Sequence, residues 1–246
     1  QRNRIQRYAE PILIHLYSEV LQKFRLAARG RGLSRQPPEH LRKRIDTYFD
    51  PLPFYYEPLE TARTDLAAYP LAAVTQRPMA MYHSWDSQNA WLRQIHTHNH
   101  LYVNPRVARE AGIEDGGWMW VESPWGKVRC VCLYSEAVEP GTVWTWNAIG
   151  KSPGAWRLAP DANESRRGFL LNHLIADELP DPLGTISNSD PVTGQAAWYD
   201  VRVRIRPAEE GEPEETWPRA EPVPAAPGTA AVPRVRAYFA GREKRS

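Results

Sequence analysis

Residues 117–134 read GWMWVESPWGKVRCVCLY, two strand-like runs that alternate on either side of the turn Ser123, Pro124, Trp125 and Gly126. Alternation with a period of two is what a half-buried strand needs, and a four-residue turn carrying Pro and Gly returns the chain antiparallel, so this stretch is a β-hairpin. The same reading extends both ways. The apolar run at 69–75 ends in Thr75, Gln76 and Arg77, as a strand entering a loop would. LYVN at 101–104 is a strand, then Asn104 caps a short helix with Pro105 at its first position and Gly112 as its stop. TVWTW follows a Pro140-Gly141 turn, and 197–205 is a last alternating strand with Arg202, Arg204 and Arg206 facing outward. Residues 168–177 are expected to be helical. Ser84 or Asp86 is expected to cap a helix reaching Ile95, with Trp91, Leu92 and Ile95 on one face. Short strands, small helices and tight turns within residues 66–206 predict a compact, mainly β barrel rather than a doubly wound sheet.

The flanks differ in kind. Residues 10–29 carry Leu13, Leu16, Tyr17, Val20, Leu21 and Phe24 at helical spacing, with Gly30 as the stop. From Arg29 to Pro58 the chain is basic, then proline-rich, and reads as an extended arm, so residues 1–65 are assigned to a connecting segment. Residues 207–246 form a Pro/Ala/Glu tract too poor in apolar side chains to fold, and are assigned as a disordered tail.

Charge and composition exclude several functions. The 31 Lys and Arg against 29 Asp and Glu leave a net charge of +2, which gives no basis for a nucleic-acid partner. Two cysteines fall short of the four thiolates of an iron–sulfur cluster or a Cys₄ zinc site, and Cys130 and Cys132 read as buried small hydrophobes. No apolar run is long enough to span a membrane. Ile149-Gly150-Lys151-Ser152 imitates the end of a phosphate-binding loop, but Thr145 stands where its first glycine belongs and Pro153 blocks the helix that must follow. There is no dinucleotide G-x-G-x-x-G and no nucleophile elbow. His96, His98 and His100 invite a metal reading, although the segment holds no carboxylate or thiol to complete a site.

What remains is a set of polar residues at strand exits: Thr75, Gln76, Arg77, His83, Ser84, Asp86, Asn89, Asn172 and Gln195. A guanidinium fork suits phosphate, and hydroxyls and amides suit a polar ligand with hydrogen-bonding rings. The order of segments carries more. PLAAVTQRP, MYHS, the pattern Asn104-Pro105-x-x-Ala108-x-x-x-Gly112-Ile113-x-Asp115-Gly116, VESPWGKV, VEPGTVW, GFLLNHL and DPVTGQAAWYDVRV follow one another here, and in that order they resemble the C-terminal cofactor domain of molybdopterin oxidoreductases of the dimethyl sulfoxide reductase family. The chain resembles that domain over residues 69–205.

The resemblance implies a six-stranded double-psi β-barrel that binds bis-molybdopterin guanine dinucleotide. Thr75 and Arg77 would lie against one dinucleotide, His83 and Ser84 would approach the pterin and its pyrophosphate, and Asn172 and Gln195 would hydrogen-bond the pterin system. The molybdenum ligand and the iron–sulfur cluster belong upstream in that family, so the chain is expected to be a fragment, inactive alone, beginning within an upstream catalytic domain. The segments at 82–100 and 145–156 look closest to catalytic subunits acting on sulfur oxyanions, sulfite dehydrogenases above all. That implies a small-anion substrate, a cytoplasmic location and two partners, a membrane anchor subunit plus an iron–sulfur electron-transfer subunit. His96, Lys151 and Arg157 are candidates to line an anion entrance. The alternative is a non-catalytic double-psi barrel used as a binding or adaptor module.

Overall fold

The computed structural model describes residues 18–32, 35–82, 89–96, 98–147, 168–181, 184–196 and 201–214. Six strands close a barrel: β1 (Leu71–Gln76), β2 (His100–Val103), β3 (Trp118–Glu122), β4 (Lys127–Tyr134), β5 (Thr142–Trp146) and, after a separate hairpin of β6 (Glu178–Asp181) and β7 (Gly184–Ser187), β8 (Val201–Pro207). Around the barrel the order is β1, β5, β2, β4, β3, β8. The β1–β5 and β2–β4 pairs are parallel and the remaining four pairings antiparallel. Two parallel pairs, each joining strands distant in sequence, give the crossed connections of the double-psi barrel, and closure leaves no unpaired edge.

Alternation fixes what faces inward. Leu71, Ala73, Leu101, Val103, Met119, Val121, Val128, Cys130, Cys132, Val143, Val201 and Val203 fill the interior. Both cysteines are free and buried, and desolvation pushes the Cys132 thiol up to about 12 and that of Cys130 well above the usual range, so they act as small apolar residues. Ala108 and Ile113, from the helix Pro105–Glu110 and its stop, and Phe169, Leu171 and Leu174 also join the core. Asn104 caps that helix through the Arg106 N–H at 3.0 Å, and Gly112 ends it with φ +72°.

Four expectations are corrected. The arm from Arg29 to Pro58 holds a helix, α2 (Glu39–Tyr48), which packs on α1 (Ser18–Ala28), the described part of the helix expected at 10–29, through Phe24 on Phe49 at 5.7 Å and an Arg29–Asp46 ion pair at 2.6 Å. Residues 39–48 therefore are not extended: Leu41, Ile45 and Tyr48 form a narrow stripe at helical spacing, obscured by the prolines before it. The helix near 90, α3 (Ala90–Ile95), is capped by Asn89, which accepts from the Trp91 N–H at 3.0 Å, rather than by Ser84 or Asp86. Its residues Trp91 and Ile95 are exposed. Residues 168–177 form only a 3₁₀ turn, Leu171–Leu174, whose flanks are held instead by side chains of the barrel and of Asn188. Finally, residues 208–214 fold back on the barrel. The Ala208 N–H donates to the Trp118 carbonyl at 3.0 Å, and Glu212 binds Arg206 at 2.6 Å. The tract beyond 214 lies outside the described residues.

Candidate functional site

Among the described residues, the strand directions bring the candidates Thr75, Arg77 and Asn172 to one end of the barrel. β1 and β5 run parallel and leave it together, with Thr75 opposite Thr145 and Gln76 opposite Trp146. β2 enters there, β3 and β4 turn there through Ser123, and β8 begins there, Val201 pairing with Ala73. Residues 168–176 run across this mouth, held at three points. The Phe169 carbonyl accepts from Asn99 Nδ2 at 3.3 Å, the Leu174 carbonyl from Ser123 Oγ at 2.8 Å, and the Ala176 carbonyl from Asn188 Nδ2 at 3.0 Å. Asn172 sits exposed in the middle of that span.

Two of the predicted residues follow from β1. Thr75 shares the inward face with Leu71 and Ala73, and its Oγ1 is buried without a hydrogen-bond partner. Arg77, just past the strand, is exposed, its guanidinium 5.4 Å from the centre of the Tyr82 ring. Gln195 is exposed in the turn before β8. That turn is built by Asp190, whose Oδ1 accepts from the Val192 N–H at 3.0 Å, the Thr193 N–H at 2.6 Å and the Thr193 hydroxyl at 2.8 Å. Gly194 completes it at φ +74°. Burial alone would raise the Asp190 carboxyl; the bonds from Thr193, Tyr56 and Val192 outweigh it and hold it below the usual value. Tyr56 donates to Asp190 Oδ2 at 3.0 Å, and burial, then that bond, push its phenol up to about 12.

The arm completes the site, which sequence reasoning missed. Arg44 donates to the Asp190 and Pro191 carbonyls at 3.3 and 3.2 Å, and Arg202 of β8 to Thr61 Oγ1 at 3.2 Å. Between arm and turn lies a cavity of about 610 Å³, lined among others by Tyr56, Leu59, Glu60, Asn188, Asp190 and Gln195. Also missed were Asn99, Asn147 and Asn188. Asn99 is 2% exposed, with Oδ1 accepting from the Thr145 hydroxyl at 2.8 Å. Asn147 Oδ1 and Asn188 Oδ1 are buried without a hydrogen-bond partner. The available signal was position alone, since each asparagine follows or precedes an apolar run.

His83, Ser84, Lys151 and Arg157 lie outside the described residues. His96 packs on Trp146 at 5.3 Å, and His98 and His100 meet edge to face at 6.3 Å. Among the described residues no group of three His, Cys, Asp or Glu could hold a metal ion.

Residues 71–192 match the model of the molydopterin dinucleotide binding domain. Over 224 residues, 90% of the chain, it is 70% identical to a sulfite dehydrogenase subunit of Allochromatium vinosum, of which it covers 23%. The chain belongs to the dimethyl sulfoxide reductase family of molybdopterin oxidoreductases. This dinucleotide-binding domain is also 25% identical, over 66% of the chain, to the thiosulfate reductase molybdopterin-containing subunit of Salmonella typhimurium, covering 18% of it. Acetylene hydratase from Pelobacter acetylenicus shares its fold, at a TM-score of 0.50 and 22% identity over 66% of the chain and 22% of that structure. The chain therefore spans less than a quarter of the length of these relatives.

The residues of the domain fit a molybdopterin dinucleotide. Thr75 Oγ1, Asn147 Oδ1 and Asn188 Oδ1 are buried oxygens that nothing in the described protein satisfies, and buried polar atoms are rarely left so. A ring system rich in N–H donors supplies what they lack, and the exposed Arg77 guanidinium suits its phosphates.

Proposed function

We propose that the chain is the cofactor-binding part of a molybdenum oxidoreductase catalytic subunit that carries bis-molybdopterin guanine dinucleotide and oxidises sulfite. The observation that carries this reading is the 70% identity, sustained over 90% of the chain, to a sulfite dehydrogenase subunit. When bound, the molybdenum supplies oxygen-atom and electron transfer to the sulfur oxyanion. The chain binds and orients the group: Arg77 holds phosphate, Thr75 donates or accepts through its hydroxyl, and Asn172 and Gln195 present amides to the pterin. His83 and Ser84 take the pyrophosphate. The side chains at the mouth are set by Asn99, Ser123 and Asn188, which tie the crossing segment in place.

The Allochromatium vinosum relative is named as one subunit, so it has companions. For this chain we propose, as electron acceptor, an iron–sulfur subunit, together with a membrane anchor and a cytoplasmic site of action. The test is to purify the native complex, measure molybdenum and released guanine nucleotide, and follow sulfite-dependent reduction of an artificial acceptor. Stoichiometric cofactor with sulfite turnover is expected. Thiosulfate or tetrathionate reduction without sulfite oxidation would replace the substrate, and a complex with neither molybdenum nor nucleotide would leave the adaptor reading.

A further inference from the structure

Asn188 is 8% exposed and lines the cavity between the arm and the Asp190 turn. Its Nδ2 hydrogens are committed to two acceptors, Glu60 Oε2 at 3.1 Å and the Ala176 carbonyl at 3.0 Å. Turning the amide over would aim Oδ1 at a carboxylate and a carbonyl, so its orientation is fixed by its neighbours. Oδ1 is thus an acceptor locked in place, and it is buried with no donor opposite it. Glu60, at 1% exposure, is the group that locks it. A buried carboxylate thus holds an amide whose oxygen has no hydrogen-bond partner within the described chain. Such an arrangement costs stability unless something else donates to that oxygen.

The cavity indicates what that is. At about 610 Å³ it falls in the range of small-molecule sites, with apolar walls from Pro58, Leu59 and Pro191. Tyr56 stands at its side, fixed by its bond to Asp190 and by edge-to-face packing on Tyr48 at 5.2 Å. Apolar and aromatic walls lined also by the acceptor-bearing Glu60, Asn188 and Asp190 suit a planar heterocycle that presents N–H groups. We infer that Asn188 reads the 2-amino-4-oxopyrimidine edge of the cofactor, whose ring N–H and exocyclic NH₂ lie side by side. This rests on the dinucleotide reading of the domain and assigns it a residue outside the predicted set. Pterin and guanine carry the same edge, so the chemistry is common to both ends of the dinucleotide, and the experiment separates them.

The 246-residue chain is titrated by calorimetry with guanosine monophosphate, with 6-hydroxymethylpterin, and with adenosine monophosphate, which offers an acceptor where guanine offers its ring N–H. Binding of either of the first two, at least about tenfold tighter than adenosine monophosphate, is expected. Whichever binds identifies the end of the cofactor that the cavity takes. Asn188→Leu is expected to abolish that preference. Because this variant also loses the Glu60 bond, the side-chain amide resonances of Asn188 in the wild-type chain are followed too. They shift on adding the binding compound and stay put with adenosine monophosphate. Absence of binding by both compounds, equal affinities in Asn188→Leu and wild type, or unmoved Asn188 resonances, as when only a buried water serves Oδ1, would overturn the inference. Cofactor content of the full-length enzyme keeps the two readings apart. Wild-type enzyme that holds molybdenum and nucleotide while the chain ignores both compounds refutes the role of Asn188 alone. Wild-type enzyme that holds neither refutes the domain reading itself.

Discussion

The wall formed by β3, β4 and β8 and the mouth at the exits of β1 and β5 are built from similar residues to opposite ends. On the wall the carboxylates and guanidiniums pair, although the indole Nε1 of Trp120 is buried there without a hydrogen-bond partner. Glu122 takes Arg204 at 2.8 Å on one oxygen and Arg206 at 3.0 Å on the other, and Arg206 passes on to Glu212, whose carboxyl its hydrogen bond holds at about 2. Trp120 faces outward from the core yet is fully buried, with Lys127 4.3 Å from its ring centre. At the mouth, Thr75, Asn147 and Asn188 keep buried oxygens without hydrogen-bond partners, while Met79 and Trp91 stand almost bare. Charges that pair with one another need no outside partner. The unsatisfied mouth is where a ligand or further polypeptide repays the cost of burial.

The largest test strikes the wall. Trp120→Ala removes a fully buried ring and is expected to cost about 3–5 kcal/mol in urea unfolding, with cofactor content per folded molecule unchanged in the full-length enzyme. Lowered content in the folded fraction would break the division of labour. The converse change is Arg77→Ala, expected to leave unfolding unaltered because the side chain is exposed, yet to speed cofactor loss about ten- to a hundredfold, as removal of a charge-assisted phosphate contact does. Arg204→Ala on the wall should leave retention alone. Equal loss in both would remove Arg77 from the site.

A finer comparison sets two hydroxyls against each other. Ser123 Oγ donates to the Leu174 carbonyl and accepts from the Trp125 and Gly126 N–H groups, each at 3.1 Å. Ser123→Ala should cost about 1–2 kcal/mol, because it strands those groups. Thr75→Val keeps the shape and removes an oxygen with no hydrogen-bond partner. The cofactor-free chain should then be unchanged or more stable by up to about 1 kcal/mol, while the loaded enzyme holds its cofactor less well. A clear loss of stability in the cofactor-free chain would show that Thr75 is satisfied internally.

What the sequence disclosed, and what it hid, follows the same line. The hairpin around Ser123, strand β1 and the helix after Asn104 were legible because periodicity, a cap and a stop agree locally. α2 was hidden by a thin stripe of Leu41, Ile45 and Tyr48 behind two prolines, and β6–β7 by Pro180 in a four-residue strand. The folded-back residues 208–214 contribute charge rather than apolar area, so hydropathy does not find them. Of the proposed site, Thr75 and Arg77 stood out in the sequence as polar residues at a strand exit, which is where β1 places them. Asn188 did not, because its meaning comes from Glu60, 128 residues away. Local pattern finds a polar group at a strand exit; only tertiary contact reveals a group such as Asn188, whose orientation is set by a distant residue.

The smallest effect concerns the latch between arm and turn. Tyr56→Phe keeps the ring packing and deletes the donor to Asp190, so the difference in unfolding free energy between wild type and variant isolates the bond, at about 0.5–1 kcal/mol near neutrality. Its pH dependence has a sign at each end. The folded Asp190 carboxyl lies below its usual value, so its contribution is complete above about pH 4, the unfolded value, and drains away as pH falls through the folded one. The folded Tyr56 phenol lies above its usual value, so its contribution is complete below about pH 10 and is lost as pH rises toward about 12. The difference should therefore be flat between about pH 5 and 9 and narrow outside that range at both ends. A difference that persists unchanged into acid would mean that Tyr56 does not meet the Asp190 carboxylate, and the arm would then hold the turn through Arg44 and the Glu60–Asn188 bond without it.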